Sequence, residues 1–376
     1  MRILIVNWQD ITNPLAGGAE VHLHEVFERI AALGHEVTLF CSGFPGAPRE
    51  EDRRGLHIIR EGGRYLFNFR FAWRWLTRLR LSGFDIVVDD MNKIPFFTPL
   101  LVGRTVHGLT HHLFGKSIFL EVNVVLASYV FLMESLAVSL YRRMRVPFIV
   151  GSPSTRQELL ARKFPASDIV LIPYGVDHAR HVPGTAKDPA PLIGYFGRLK
   201  RYKSVDHLLQ SLPAVAARVP GLRVVIVGDG DDKPRLMAMA QELGVAPLVS
   251  FTGFVSEEEK IRILQRLWCC VTTSSKEGWG LTVIEANACG TPVVASRVEG
   301  LRDAVKDGET GLLFEYGDVP TLSGKILDVL TDARLRERLT HNAIAWAARF
   351  DWDTAAADTL RCLQVRCAPV TDPANA

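Results

Sequence analysis

The chain has 376 residues, 48% of them hydrophobic and 23% charged, and carries a net charge of +3. That composition excludes a disordered chain and gives no charge argument for nucleic acid as a partner. The length is about twice that of an ordinary domain, so two domains are expected.

The chain starts with "RILIV", a buried first strand too short for a signal peptide. "AEVHLHEVFERIAAL" then repeats Leu23, Val26, Ile30 and Leu33 at helical spacing, Gly34 is placed to cap the helix, and "EVTLF" reads as the next strand. "RYLFNFRFAWRWLTRLR", residues 64–80, interleaves arginines with aromatics. On a helix Arg70, Arg74 and Arg78 form one stripe and Phe71, Trp75 and Leu79 the next. Two readings stay open: a peripheral contact with an anionic membrane surface, or a helix packed on its own sheet, which is favoured. "DIVVDD", "GRTVHGLT" and "PFIVGS" are further strand candidates. "SIFLEVNVVLASYVFLMESLAVSLY", 117–141, is long enough to cross a bilayer, but Glu121, Asn123 and Glu134 make a buried or interfacial helix the better reading.

A second series of strands and helices starts near residue 190: "PLIGYFG", "LRVVIVGDG", "LVSFTGF", "WCCVTTSS" and "TPVVAS", with amphipathic stretches between them. The segment 177–191, rich in Pro and Gly and without periodicity, reads as a linker or hinge. The alternation throughout predicts an α/β protein of two doubly wound, Rossmann-like domains facing a cleft. The expected boundaries are 1–172 for the first domain, 173–350 for the second, and 351–376 for a final helix and tail. Six cysteines (Cys41, Cys269, Cys270, Cys289, Cys362 and Cys367) form no C-x-x-C pair, which argues against a zinc site and fits a reducing compartment.

Chemistry concentrates in "SSKEGWGLTVIEA". Glu277 falls in a loop after a strand, a helix should start near Gly280, and Glu285 lies inside it. Eight helical residues would rise about 12 Å. That is the scale separating the two sugars of a nucleotide diphosphate sugar, and the helix start between them offers N–H groups to a diphosphate. Two solvated surface acids are the alternative on spacing alone. "GYFGRLKRYKS" follows another strand with Arg198, Lys200, Arg201 and Lys203, cations suited to phosphate oxygens. Gly17 and Gly18 precede the first helix, where they either let a ligand approach the backbone or make a tight turn.

These pieces resemble a known family. "FGRLKRYK", "VIVGDGDD", "VSFTGFVS", "EGWGLTVIE", "EANACGTPVVAS" and "DGETGLLF" occur in the order found in the retaining nucleotide-sugar glycosyltransferases of family 4, which have the GT-B fold. "GGAE" and "IPYGVD" extend the similarity to most of the chain.

The resemblance implies roles. Arg198 and Lys203 would hold the donor diphosphate, Glu277 the sugar hydroxyls and Glu285 the ribose hydroxyls. Backbone at Gly278, Trp279, Gly280 and Leu281 would line sugar and phosphates. Gly228, Gly230, Phe254 and Val255 would approach the base, and Gly17 and Gly18 would face the diphosphate. His111, at a strand end, would contact the donor sugar, with His112 second and His107 a core histidine. Asp89 and Asp90 read as a strand-end cluster near the acceptor. No metal or other cofactor is expected, since cationic side chains and a helix start would do that work. The acceptor would be a hydroxyl on a glycan, a lipid-linked molecule or a small molecule, and the setting cytoplasmic, with contact at the inner membrane face if 64–80 touches lipid. Three positions depart from the family pattern: Trp279 for the usual Phe, Tyr174 for a common Asn, and "RVEGL" for a double glycine near 299. A GT-B nucleotide-sugar 2-epimerase shares the expected fold, and "VGDGDD" leaves a dinucleotide-binding oxidoreductase as a remoter rival, although it lacks the full G-x-G-x-x-G spacing.

Overall fold

The computed structural model describes residues 1–63, 66–91, 94–103, 106–120 and 122–364. Arg64, Tyr65, Glu121 and the tail from 365, with Cys367, lie outside the described residues.

The chain divides into two compact units, Met1–Gly175 with the residues from Trp352 onward, and Val176–Asp351. In the first unit the chain runs β1 (Arg2–Val6), α1 (Gly18–Ala32), β2 (Glu36–Cys41), β3 (Glu50–Arg53), β4 (Leu56–Arg60) and α2 (Phe67–Thr77). It continues through β5 (Ile86–Asp90), α3 (Thr98–Val102), β6 (Val106–Thr110), α4 (Val124–Arg143), β7 (Phe148–Val150), α5 (Pro153–Ala161) and β8 (Ile169–Leu171). The sheet has the order β3-β4-β2-β1-β5-β6-β7-β8, parallel except for β3. β3 reads "EEDR"; an edge strand needs no apolar face, so its charges hid it from a pattern search.

In the second unit β9 (Leu192–Phe196), α6 (Val205–Ala216), β10 (Arg223–Val227), α7 (Lys233–Glu242), β11 (Val249–Gly253), α8 (Glu257–Arg266) and β12 (Cys269–Thr272) come first. There follow α9 (Leu281–Ala288), β13 (Val293–Ser296), α10 (Leu301–Ala304), β14 (Gly311–Phe314), α11 (Val319–Thr331) and α12 (Ala333–Ala347). The six strands are all parallel in the order β11-β10-β9-β12-β13-β14. Their buried Val, Ile and Leu rows pack against α6, α11 and α12 in one core. The last helix, α13 (Trp352–Gln364), packs on α1 in the first unit.

The structure bears on several of these expectations. Segment 177–191 has no helix or strand but is no free linker. Asp188 is buried and paired with Arg223 and Arg266, and His178 Nε2 lies 2.9 Å from the Phe350 carbonyl, all in the second unit. The division falls before it, because Tyr174 belongs to an aromatic cluster of the first unit while Val176 pairs with Asp351. Phe71 and Trp75 of α2, with Leu79 in the 3-10 turn that follows it, are buried in the core, and Arg70 and Arg74 neutralise the buried Glu61 at 2.9 and 2.6 Å. That stripe is therefore packing, not a membrane contact. α4 is only partly buried, and its Glu134 is turned inward to accept from the Phe114 and Gly115 N–H groups and to pair with Arg162. The five described cysteines are buried, and burial pushes Cys269, for one, up to about 12.

Candidate active site

Ligands of doubly wound sheets bind where neighbouring strands send the chain in opposite directions, beyond their carboxyl ends. In the second unit the chain leaves β9 towards β10 and β11, then returns to β12 on the other side of β9. The loops after β9 and β12 therefore flank the switch point, and they carry Arg198 to Lys203 and Glu277 to Gly280.

Lys203 ends a short 3-10 turn, Arg201–Lys203, and its Nζ donates to Glu277 Oε1 across 74 residues of sequence. Ser274 Oγ donates to the same oxygen at 2.6 Å. Burial opposes the lysine charge, but the Glu277 carboxylate outweighs it and the pKa is raised. Arg198 is close enough to act on the same ammonium in the opposite sense. The structure thus brings Arg198, Lys203 and Glu277 together: two cations and one acid at a strand edge.

α9 opens on Gly280, in the left-handed region at φ +88. Between the two acids only the stretch from Leu281 to Glu285 is helical, rising about 6 Å, and the rest is loop. Glu285 is buried, and both of its oxygens lie 2.7 Å from Lys260 Nζ. Glu257 is 3.4 Å from the same ammonium, and His181 Nε2 is 3.5 Å from Glu257. Burial works against the Lys260 charge, Glu285 and Glu257 restore it, and the pKa ends up raised. Glu257 is held at about 2 despite its burial, chiefly by His181 and Lys260. Ligand atoms of His181, Glu257 and Glu285 all lie within 4.8 Å of one another, a spacing a metal could use, but the Lys260 ammonium already fills the cation's role. Sequence reading missed Lys260, Glu257 and His181. Glu257 and Lys260 are legible as a helical i,i+3 pair; their reach to Glu285 is not.

The glycines divide by purpose. A Cβ on Gly228 would stand 2.0 Å from the Gly197 carbonyl oxygen, and one on Gly230 2.1 Å from that of Leu199. Glycine is required there so that the loops after β9 and β10 can interlock, which accounts for both positions without a ligand. It also weakens the dinucleotide-binding rival, whose glycine turn should follow the first strand of the fold; "VGDGDD" follows the second. Near 299, Gly300 is the glycine that matters: φ is +78 and a Cβ would meet the Glu277 carbonyl at 2.3 Å. The Trp279 ring is buried against Phe350, 5.1 Å between centroids, so this departure from the family pattern is a packing feature and only its backbone is left to line a ligand. Phe254 is exposed beyond β11, with Val255 beside it.

In the first unit the switch point lies between β1 and β5. Gly17 caps α1 and its N–H donates to Glu20 at 2.7 Å, while the Cβ direction of Gly18 is open space. His111 follows β6 directly and is buried. Its Nε2 lies 3.1 Å from the Asp90 carboxylate, and Nδ1 contacts the Tyr174 hydroxyl. His22 stacks on Tyr174 at 4.2 Å. A Cβ on Gly151 would overlap the Tyr174 ring, so the neighbouring strand end is glycine to make room for this substitution. His107 is buried inside β6, and Asp89 is a core group accepting from Thr98 at 2.6 Å and Tyr141 at 2.5 Å, pushed up to about 6 by burial. The two aspartates therefore hold different partners.

Burial opposes a charge on His111, but Asp90 and then Glu20 outweigh it, so its pKa is raised. Protonation then stabilises the fold fully below the unfolded histidine value near 6.5, and that contribution is lost as pH rises through the folded value. Asp90→Asn is expected to lower the His111 pKa and flatten this arm of the stability curve. An NMR titration of the His111 ring with denaturation at several pH values checks it; an unmoved titration would dismiss Asp90 as the cause.

Known proteins resemble both units of the chain. Residues 179–346 match the family described as glycosyl transferases group 1, and residues 16–180 match Glycosyltransferase Family 4. Together these two glycosyltransferase domain models cover most of the chain, and its fold is GT-B. Among curated relatives, a D-inositol 3-phosphate glycosyltransferase of Stackebrandtia nassauensis is 34% identical over 232 residues, 56% of this chain and 52% of its own length. The chain thus spans about half the length of that relative. Among solved structures, sucrose-phosphate synthase of Thermosynechococcus elongatus superposes with a TM-score of 0.81 at 23% identity, covering 96% of this chain and 98% of the other. Anabaena Alr3699/HepE in complex with UDP-glucose gives 0.75 at 19% identity, covering 96% and 99%. At these identities the two structures speak for the fold.

Proposed function

We propose that the protein is a retaining glycosyltransferase that moves a hexose-type sugar from a nucleotide diphosphate sugar to a hydroxyl acceptor in the cytoplasm, without a metal. The observation that carries this reading is the Lys203–Glu277 pair with Arg198 beside it at the β9/β12 switch point. Departure of the nucleoside diphosphate builds negative charge on its terminal phosphate, and fixed cations there lower the barrier more than they aid ground-state binding. Arg198 and Lys203 are assigned that charge, with the first turn of α9 adding N–H groups. Glu277 is assigned the sugar hydroxyls, and by holding Lys203 it also aims the ammonium. Glu285, kept in place by Lys260, is assigned the ribose. The unit that carries His111 is assigned the acceptor, a glycan, a lipid-linked molecule or a small molecule. The departing phosphate would take the acceptor proton, so no separate base is needed.

Thermal-shift measurement with UDP-, GDP-, ADP- and dTDP-glucose tests the reading. One base should raise the melting temperature by mass action; a ligand at 100 times its Kd adds about 2.7 kcal/mol. If none of the four shifts it, the donor assignment is wrong. With the stabilising donor in hand, nucleoside diphosphate release that depends on added acceptor separates transfer from epimerisation.

A further inference from the structure

Large apolar side chains left in water are concentrated in one part of the chain. Of the 21 exposed ones among the described residues, 15 lie between Leu66 and Met144. Two helices carry most of them. α2 turns Phe67, Phe71 and Trp75 into the core, yet a second stripe, Leu66, Phe69, Trp73 and Leu76, faces out, with Phe69 73% and Trp73 51% exposed. α4 buries Ala127, Val130, Ala137, Val138 and Tyr141 and exposes Val125, Tyr129, Leu132 and Leu136. These spacings, i, i+3, i+7, i+10 and i, i+4, i+7, i+11, each describe one helical face.

The two faces belong to one surface. α2 leads from β4 to β5 and α4 from β6 to β7, both advancing across the sheet in the same direction. Right-handed crossovers then put both helices on the same side of it. Phe67, Phe71 and Trp75 of α2 share one core cluster with Ala137, Val138 and Tyr141 of α4, which agrees. α3 follows α2 on this side and adds the exposed Leu100.

Charge selects the occupant. Residues 66–84 hold four arginines and no acid. Arg78 and Arg80 are exposed where α2 ends, and Arg143 is exposed where α4 ends. Between 122 and 144 the one acid is Glu134, which is buried and bound to Arg162 and two backbone N–H groups. Trp73, with the Arg70 guanidinium 4.6 Å from its ring centroid, and the half-exposed Tyr129 are the residue types that settle at a membrane–water boundary. We infer that this face docks flat on a bilayer surface bearing anionic headgroups. The buried third of α4 is held by the protein, so the helix lies on the bilayer and does not cross it. The docking surface is the outer stripe of α2 with the outer face of α4, not the Arg70–Arg74 stripe, which is used up on Glu61.

Flotation of the full chain with vesicles tests this, without any nucleotide sugar, so that its failure leaves the proposed reaction untouched. The protein should float with phosphatidylcholine–phosphatidylglycerol vesicles, far less with phosphatidylcholine alone, and less as salt is raised. A Phe69→Ser/Trp73→Ser/Leu132→Ser variant, changed only at exposed positions, should keep its melting temperature and partition at least about tenfold more weakly. Three results would overturn the inference: no flotation with anionic vesicles, equal flotation of the variant, or a dimer in lipid-free buffer that the triple variant dissociates, which would give the face to a second copy of the chain.

Discussion

Lys203→Ala is expected to lower kcat by about 10²- to 10³-fold, the loss typical of removing one preorganised donor from a developing oxyanion. The nucleotide dissociation constant should change by much less, because on the proposed reading Arg198 and the start of α9 would still meet the diphosphate in the ground state. The structure adds a reason for a large effect. Lys203 is partly buried, with its ammonium on Glu277, so its position is set before any ligand arrives and costs no reorganisation at the moment of reaction. Removing it also leaves Glu277 with only the Ser274 hydroxyl from this pair of donors, so the sugar contact should loosen as well. Lys203→Arg is not expected to rescue fully, since a planar fork cannot occupy the same point beside Glu277. Steady-state kinetics with isothermal titration of the nucleoside diphosphate separates the two quantities. Equal losses in turnover and affinity would make Lys203 a simple binding residue.

Gly228→Ala is expected to give the largest loss of stability from a single methyl group. The backbone there has φ +127, and the new Cβ would stand 2.0 Å from the Gly197 carbonyl oxygen, an atom of the backbone with nowhere cheap to go. Strain at such a φ costs about 1–3 kcal/mol and an overpacked contact about 1–3 kcal/mol more. A loss of roughly 3–5 kcal/mol should lower the melting temperature by about 10 °C in a unit of this size. The loop carrying Arg198 hydrogen-bonds to the loop of Gly228 through Gly197 N to the Val227 carbonyl and Leu199 N to the Asp229 carbonyl, so donor binding should fall with it. Gly18→Ala is the control. Nothing lies within 4 Å of its Cβ direction, so stability should stay within about 0.5 kcal/mol and any loss of donor affinity would report on the ligand. Thermal denaturation of both variants decides it; a Gly228→Ala protein that melts like the parent would show that the two loops can part without cost.

Much of the candidate site in the second unit was legible in the chain itself. β9, β10 and β12 announce themselves as short, mostly apolar runs, and each is followed by glycine and charge where a doubly wound sheet places its ligand. Arg198, Lys203, Glu277 and Glu285 are identifiable because they stand at fixed short distances from those strand ends. The two Rossmann-like units follow from the same alternation.

Tertiary structure alone decided who meets whom. Lys203 and Glu277 are 74 residues apart, Lys260 and Glu285 25, and His111 and Tyr174 63, and each pair forms only because the fold brings two distant segments side by side. Periodicity is a local signal and carries nothing about strand order. It also could not say which of two apolar stripes of α2 turns inward, since Phe71 and Trp75 on one side and Phe69 and Trp73 on the other repeat with the same 3.6-residue period. The sheet broke that tie by burying the stripe that fits its own apolar rows, leaving the other in water.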